Sequence, residues 1–474
     1  MKLAALSLTL LLCLCSCAIH KPILDSVYPA PNAKDVCTDT VLRLRFENKP
    51  VLGKKGSITI YDSEDDGLVY SVSVASKSIV RKIGGFPNYN AYPFTVNNTE
   101  VEIPVYNLKK DHTYRVEIDW TVFPGLKEVL RQNDPTLSWV FSTRATELAP
   151  QTQSIVVAAD GSGDFCTIQG ALDFIPQGNT LPRTILIKNG IYPEIIAFAE
   201  KDNITLVGES RKETIIAYAT NEKFNGSGGN PYASTKNNPS TEKNKSHIYH
   251  RGVLIAHKAN GLKIKNLTIH NTTPHGGSQS EAIILNGTLT AQAVLQDLDL
   301  YSFQDTLQVN GQAYITGCHI EGDVDFMWGT GPCYFKDCTC VSLRSDAYYT
   351  QVRNPSTNHG YVFVGCQFIG SSRVSGNYLS RIEANRFPYS EVVLLNCTLG
   401  DAVSPIGWQL QAKGDTSNLH FWEYNSLKST KNVPVDTSKR LKVSKQLKLP
   451  ADKALIESYL DPVFVLGNGW SPKL

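Results

Sequence analysis

The hydrophobic pattern of this chain changes character near residue 150. From about residue 22 to 146, short stretches alternate apolar and polar side chains. Examples are Val41-Leu42-Arg43-Leu44-Arg45-Phe46, Ser57-Ile58-Thr59-Ile60-Tyr61 and Tyr114-Arg115-Val116-Glu117-Ile118. Alternation over five or six residues marks half-buried strands. Pro, Gly, Asn and Asp turns separate these stretches, so 22–146 is expected to be a small β-sandwich. Nothing in it carries obvious chemistry, and a spacer or weak carbohydrate-binding role is expected. Thr146 to Gln153 reads as a linker.

From Ser154 onward, six segments share one shape: an apolar run, a small or polar residue, a Leu or Cys, then one more apolar residue. They are centred on Asn266-Leu267, Asp297-Leu298, Gly317-Cys318, Asp337-Cys338, Gly365-Cys366 and Asn396-Cys397. Asp297, Gly317 and Asp337 recur every 20 residues; later intervals are nearer 30. No helical pattern lies between them. Such a period predicts a β-solenoid over 154–474, in which each turn stacks on the next. The chain is therefore expected to be all-β. Cys at equivalent repeat positions should stack inside as small apolar groups rather than build a disulfide framework. Asn221 to Ser246 is a long polar loop, either functional or a surface insertion.

Composition narrows the class. The chain has 474 residues, 42% hydrophobic and 19% charged, with a formal net charge of +2. That balance gives no electrostatic case for nucleic acid. Lys2 followed by the apolar run Leu3 to Leu14 is too short to span a bilayer and reads as a signal peptide. Leu14-Cys15-Ser16-Cys17 resembles a bacterial lipoprotein signal, so residues 1–17 are expected to be a leader and Cys17 to be lipidated. The expected location is the bacterial cell envelope, periplasmic or at the outer surface, or secreted, with membrane contact only through that lipid. A zinc site is not expected, because Cys338-Thr339-Cys340 lacks CxxC pairs and no His cluster lies beside it.

Candidate chemistry then comes from carboxylates. No GxSxG elbow occurs, which leaves acyl transfer through a serine without its usual signature. Gln304-Asp305-Thr306-Leu307 and Asp325-Phe326-Met327-Trp328-Gly329 each place one Asp after an apolar repeat segment, and the two Asp are 20 residues apart. One solenoid turn puts them on adjacent strands, about 4.8 Å apart. Two carboxyl groups that close separate their pKa values, so one can be an ionised nucleophile and the other a proton donor. An isolated Asp at such a place is more often a turn residue; two in register point to catalysis.

From Ala158 to about Trp408, and more loosely to Pro472, the chain resembles the pectin methylesterase family. Asp160-Gly161-Ser162-Gly163-Asp164-Phe165, Gly190-Ile191-Tyr192-Pro193-Glu194, the QDTL block at 304–307 and Gly322-Asp323-Val324-Asp325-Phe326-Met327-Trp328-Gly329 match its blocks in order. The resemblance implies a right-handed parallel β-helix. It implies Asp325 as nucleophile, Asp305 as general acid and base, and Gln304 as an oxyanion donor. For the second amide donor we take Gln279, one turn earlier, over Gln292, which lies only 12 residues before Gln304. Arg381 matches the Arg that orients the nucleophile, although Ser380 replaces Gly and Ile382-Glu383 replace Pro-Trp. Trp408, Phe326 and Trp328 are candidate substrate-lining residues. The implied substrate is methyl-esterified homogalacturonan in pectin, hydrolysed to methanol and pectate by a monomer without metal or cofactor. The opening Pro29-Ala30-Pro31-Asn32-Ala33 and the closing Trp139-Val140-Phe141-Ser142-Thr143 of the first region resemble bacterial Ig-like domains. Competing readings are a β-helix polysaccharide lyase or glycosidase, and an esterase or binding protein for another esterified glycan.

Overall fold

A computed structural model of the chain describes residues 22–126, 136–226 and 250–473. Cys17 and positions 227–246 of the polar loop lie outside the described residues. From Ser154 the backbone winds through three parallel sheets of eleven, nine and eight strands. Each turn visits all three in order, as in Gln312–Thr316, His319–Gly322 and Val324–Gly329. This is a parallel β-helix.

The recurring sequence step has a conformational cause. Asn266, Asp297, Gly317, Asp337, Gly365, Asn396 and Asn425 all have left-handed backbones, with φ between 52° and 66°. Gly, Asn and Asp enter that region at least cost. A single such residue turns the chain from the eleven-stranded to the nine-stranded sheet. The residue that follows then points inward: Leu267, Leu298, Cys318, Cys338, Cys366 and Cys397 are at most 2% exposed. All eight cysteines from Cys37 to Cys397 are buried and free.

Interior columns run along the axis. Leu206, Ile264, Leu295, Ile315, Phe335, Phe363 and Leu394 pair from turn to turn. Each such side chain contributes about 1.5–3 kcal/mol by leaving water. The column ends on Glu423, whose carboxylate is closed by Arg440 at 2.7 and 3.1 Å. At the other end the helix Ile168–Phe174 covers the apolar opening. Glu194 accepts from the Ile168 and Gln169 amides at its first turn, and Asp39 accepts from the Cys166 and Thr167 amides just before it. Solenoids need such polar caps. The outer face of the eleven-stranded sheet is covered by helices Lys453–Leu460 and Pro462–Leu466, which pack on Val294, Tyr314, Tyr334, Val362 and Val393.

Residues 24–143 form a four-stranded and a five-stranded sheet around their own core, which includes Leu42, Leu44, Ile58, Ile60, Val116 and Phe141. The three alternating stretches are all strands, as their pattern predicts. This sandwich is not a detached spacer. Its hairpin Ile79–Ile83 and Phe86–Ala91 leaves the sheets and buries Ile83, Phe86 and Tyr89 in the solenoid's core. Tyr89 stacks on His250 at 4.1 Å. Asn90 exchanges two hydrogen bonds with Asn225, at 2.7 and 2.9 Å, in the short helix Glu222–Asn225.

Candidate active site

The eight-stranded sheet carries the candidate residues. Its strands Leu254–His257, Ile283–Asn286, Leu307–Val309, Val324–Gly329, Tyr348–Val352 and Tyr378–Glu383 are consecutive neighbours. At or just before these six strands, in the same order, stand Arg251, Glu281, Asp305, Asp325, Gln351 and Arg381. The pairing therefore assembles a line of charged and amide groups from residues up to 130 positions apart.

Two left-handed residues aim the acid pair. Asp305 has φ 68° in the turn entering its strand, and its amide bonds to the Val324 carbonyl at 3.1 Å, one turn on. Asp325 has φ 50°. Between Val324 and Met327 the register with the next strand slips, so that two residues oppose one. Such a bulge re-aims side chains. Here Asp325 turns outward to Gln351 and Arg381, while Phe326 enters the core.

Asp325 is 5% exposed and tightly held. Arg381 grips it in a fork, Nε to Oδ1 at 2.8 Å and Nη2 to Oδ2 at 2.5 Å. Gln351 Nε2 donates to Oδ2 at 3.0 Å. The Gln351 carbonyl in turn accepts from Arg353 Nε at 2.7 Å and from its Nη2, which fixes which end of the amide faces Asp325. The Arg381 guanidinium lies 4.2 Å over the half-buried Tyr348 ring, itself stacked on Tyr378 at 5.6 Å. Burial is the largest influence on Asp325 and raises its pKa; Arg381 and Arg353 pull it back down. A carboxylate that accepts a guanidinium fork and an amide is held as the anion.

Asp305 is 8% exposed, with Oδ2 3.3 Å from Arg251 Nη2. Burial holds its carboxyl well above the usual range. Arg251 and Arg353 pull it down, while Glu281 and the Asp325 charge push it up. Arg251 belongs chiefly to Glu281, a fully buried carboxylate that it meets at 2.7–2.9 Å. The pair thus comprises two buried carboxyls on adjacent turns, both pushed up by burial, of which Asp325 is the one opposed by a guanidinium fork. That is the equipment for nucleophilic attack on an acyl group with protonation of its leaving group.

Gln304 and Gln279 are half-buried and stand on neighbouring turns: the Gln304 carbonyl accepts from Ser280 at 3.1 Å, and the Gln279 carbonyl from Glu222 at 2.9 Å. Gln292 lies instead in the eleven-stranded sheet, opposite Gln312. Trp328 is 3% exposed and lies beneath two cations, with Arg353 and Arg251 4.7 and 5.8 Å from its ring. Two lining candidates need correction. Phe326 is fully buried against Tyr349, because the bulge turns it inward. Trp408 is also fully buried and stacks on Phe421 at 4.7 Å. Its register partners Ser380, Thr350, Met327, Leu307 and Ile283 are all fully buried, so it stands in an inward column and cannot stack on a sugar.

Among the described residues, two clusters offer three close metal-type ligands: Cys37, Asp39 and Cys166, and Asp62, Glu64 and His112. Neither lies at the acid pair, and Asp39 is already committed to the Cys166 and Thr167 amides.

Comparison with known proteins agrees with this architecture. The family model described as Pectinesterase matches residues 154–454. Pectinesterase 31 of Arabidopsis thaliana is 26% identical over 278 residues, which is 58% of this chain and 82% of that protein. The solved pectin methylesterase from carrot has the same fold, with a TM-score of 0.52 at 23% identity, covering 65% of this chain and 91% of its own. A pectin methylesterase in complex with a hexasaccharide also matches at 0.52 and 23%, covering 68% and 99%.

Proposed function

Because the chain belongs to the pectinesterase family and is a carboxylic ester hydrolase, we propose that it hydrolyses methyl-esterified galacturonate in pectin, with Asp325 as nucleophile and Asp305 as general acid and base. The single observation that carries the roles is the asymmetry of the pair. Asp325 receives the Arg381 fork, whereas Asp305 is buried beside an arginine already engaged by Glu281.

An oxygen of Asp325 attacks the ester carbonyl carbon, and the C=O π electrons move onto oxygen. Gln304 and Gln279 donate to that oxyanion. Collapse expels methoxide, which takes the Asp305 proton and leaves as methanol, with the acyl group on Asp325 as an anhydride. Asp305, now a carboxylate, takes a proton from water as the resulting hydroxide attacks the acyl carbon. The galacturonate acid and the Asp325 carboxylate are released, and Asp305 is again protonated. The hexasaccharide complex of a similar protein supports a carbohydrate polymer as ligand. Export with lipidation at Cys17, an Ig-like classification of the sandwich and a monomeric enzyme complete the reading.

Methanol release from methylated pectin, compared with acetate release from acetylated glycans, tests the substrate. Asp325→Ala should reduce methanol release at least 10³-fold with an unchanged melting temperature, as loss of a nucleophile does. Near-full activity in that variant would overturn the assignment. Viscosity loss without methanol would favour chain cleavage.

A further inference from the structure

The proposed chemistry leaves one buried ion pair unexplained. Arg251 and Glu281 sit on the two turns preceding Asp305, with side chains 7% and 0% exposed. A buried ion pair costs several kcal/mol in lost hydration, and apolar residues often replace one without loss of stability. Its position beside the reacting acid suggests another use. We propose that Arg251 and Glu281 are a positioning pair that fixes Asp305: Arg251 occupies Oδ2 as a hydrogen-bond donor, Glu281 answers the guanidinium's charge, and the proton is kept on Oδ1, the oxygen that serves the leaving methoxide.

The distances support this division. Arg251 meets Glu281 through Nε at 2.9 and 2.8 Å and through Nη2 at 2.7 Å. Nη1 meets Glu222 at 2.9 Å. The contact to Asp305 is longer, 3.3 Å. An unanswered guanidinium at this range lowers an Asp pKa by about 1–3 units. That would weaken the acid's hold on its proton. With the charge matched first by Glu281, the planar fork supplies direction without deprotonating its neighbour. Among the described residues, the charged groups that act on Asp305 are Arg251, Glu281, Asp325 and Arg353, with Glu222 reached through Arg251. Glu222 belongs to the short helix that the sandwich hairpin grips through Asn90, so the first domain backs this wall of the site.

The role as written rests on Asp305 being the acid, so the test has two readouts. The first is the pH profile of kcat for methanol release. The second is the Asp305 carboxyl titration by 13C NMR on aspartate-labelled protein, assigned with Asp305→Asn, which needs no activity. Glu281→Gln removes the charge match. It should lower the Asp305 titration by at least about one pH unit and move the basic limb of kcat down by the same amount. Glu281→Asp should restore most of the shift. If Glu281→Gln does not fold, Arg251→Met with Glu281→Leu decides, since apolar replacement of the whole pair is expected to fold. Its plateau kcat should fall at least tenfold with KM within threefold of wild type. A folded Glu281→Gln with an unmoved Asp305 titration, or a double variant with wild-type kcat and profile, overturns the proposal. A wild-type protein that releases no methanol would overturn the esterase reading instead, and the carboxyl titration would still decide the pair.

Discussion

Replacing Arg381 by Met removes the fork from Asp325 while keeping the bulk of the side chain. Each hydrogen bond to a charged group contributes about 1.5–3 kcal/mol. Arg381 makes two, at 2.8 and 2.5 Å, and its side chain is 20% exposed, so solvent screening favours the lower figure. The pair is then worth about 3 kcal/mol of anion stabilisation, which at 1.36 kcal/mol per unit is about two pH units. Burial already raises the Asp325 pKa, and Arg353 and the Gln351 amide are what remain to oppose it among the described residues. The nucleophile must be ionised, so activity is lost as pH falls through its pKa. In Arg381→Met that acidic limb should move up by about two units, so that at pH values below both limbs kcat falls about 100-fold with little change in KM. Arg381→Lys should lie between, because it keeps a charge but loses the fork. The assay is kcat for methanol release from pH 4 to 9. An acidic limb within 0.3 unit of wild type, with kcat within about threefold, would refute the proposal that Arg381 keeps the nucleophile ionised.

Gln351→Leu removes the second donor to Asp325 and leaves Arg353 facing an apolar side chain; kcat should drop about tenfold at constant KM, measured by the same assay. Trp408→Ala should lower stability by about 3–5 kcal/mol, read as a fall in denaturation midpoint, with pectin KM unchanged in the folded fraction, because its indole packs on Phe421 rather than on substrate. Glu391 is buried, which alone would raise its pKa, but hydrogen bonds from His359 and His420 bring it down to about 2 from an ordinary 4.5. A depressed carboxyl stabilises the fold above its unfolded pKa, and that contribution is lost as pH falls from about 4.5 through about 2. Glu391→Gln should therefore cost about 3 kcal/mol at neutral pH and progressively less in that acid window, as measured by urea unfolding across pH.

Much of the fold was legible because one stereochemical rule repeats. In each of the six repeat segments the Asn, Asp or Gly before the Leu or Cys is a left-handed corner, and residues with that freedom can be read directly from the chain. The period then put Asp305 and Asp325 on adjacent turns without coordinates. Register also separated Gln279 from Gln292, since 12 residues are too few for a full turn. The side-chain directions within Val324–Gly329 were not legible. Asp325 sits between Val324 and the apolar run Phe326-Met327-Trp328, so no alternation reveals that Phe326 turns in and Asp325 out. Trp408 follows a Gly at a turn and resembled an exposed anchor; only its strand register places it in an inward column. The docking hairpin at 79–91 was likewise hidden, because its apolar residues complete a core that the sandwich does not own.

The family blocks themselves divide by physical task. Glu194 in the GIYPE block accepts two amides of the helix Ile168–Phe174, and Asp164 in the opening block accepts from the Val156 amide at 2.7 Å. These blocks seal the first turns of the solenoid and say nothing about substrate. The QDTL and DVDF blocks carry the acid pair, yet the groups that bias their charge lie outside those two blocks. Gln351 and Arg353 act on one carboxyl, Arg251 and Glu281 on the other, each brought in by a neighbouring strand. In a parallel solenoid, residues about 20–30 positions apart become lateral neighbours, so the groups that tune a reactive residue are sought one period away along the chain. Arg381 reaches further, from two turns and 56 residues beyond Asp325, and makes its contact despite Ile382 and Glu383 in place of Pro and Trp. Ile382 is fully buried and Glu383 pairs with Arg386 at 3.2 Å, so neither replacement competes for the fork and the grip on Asp325 is kept.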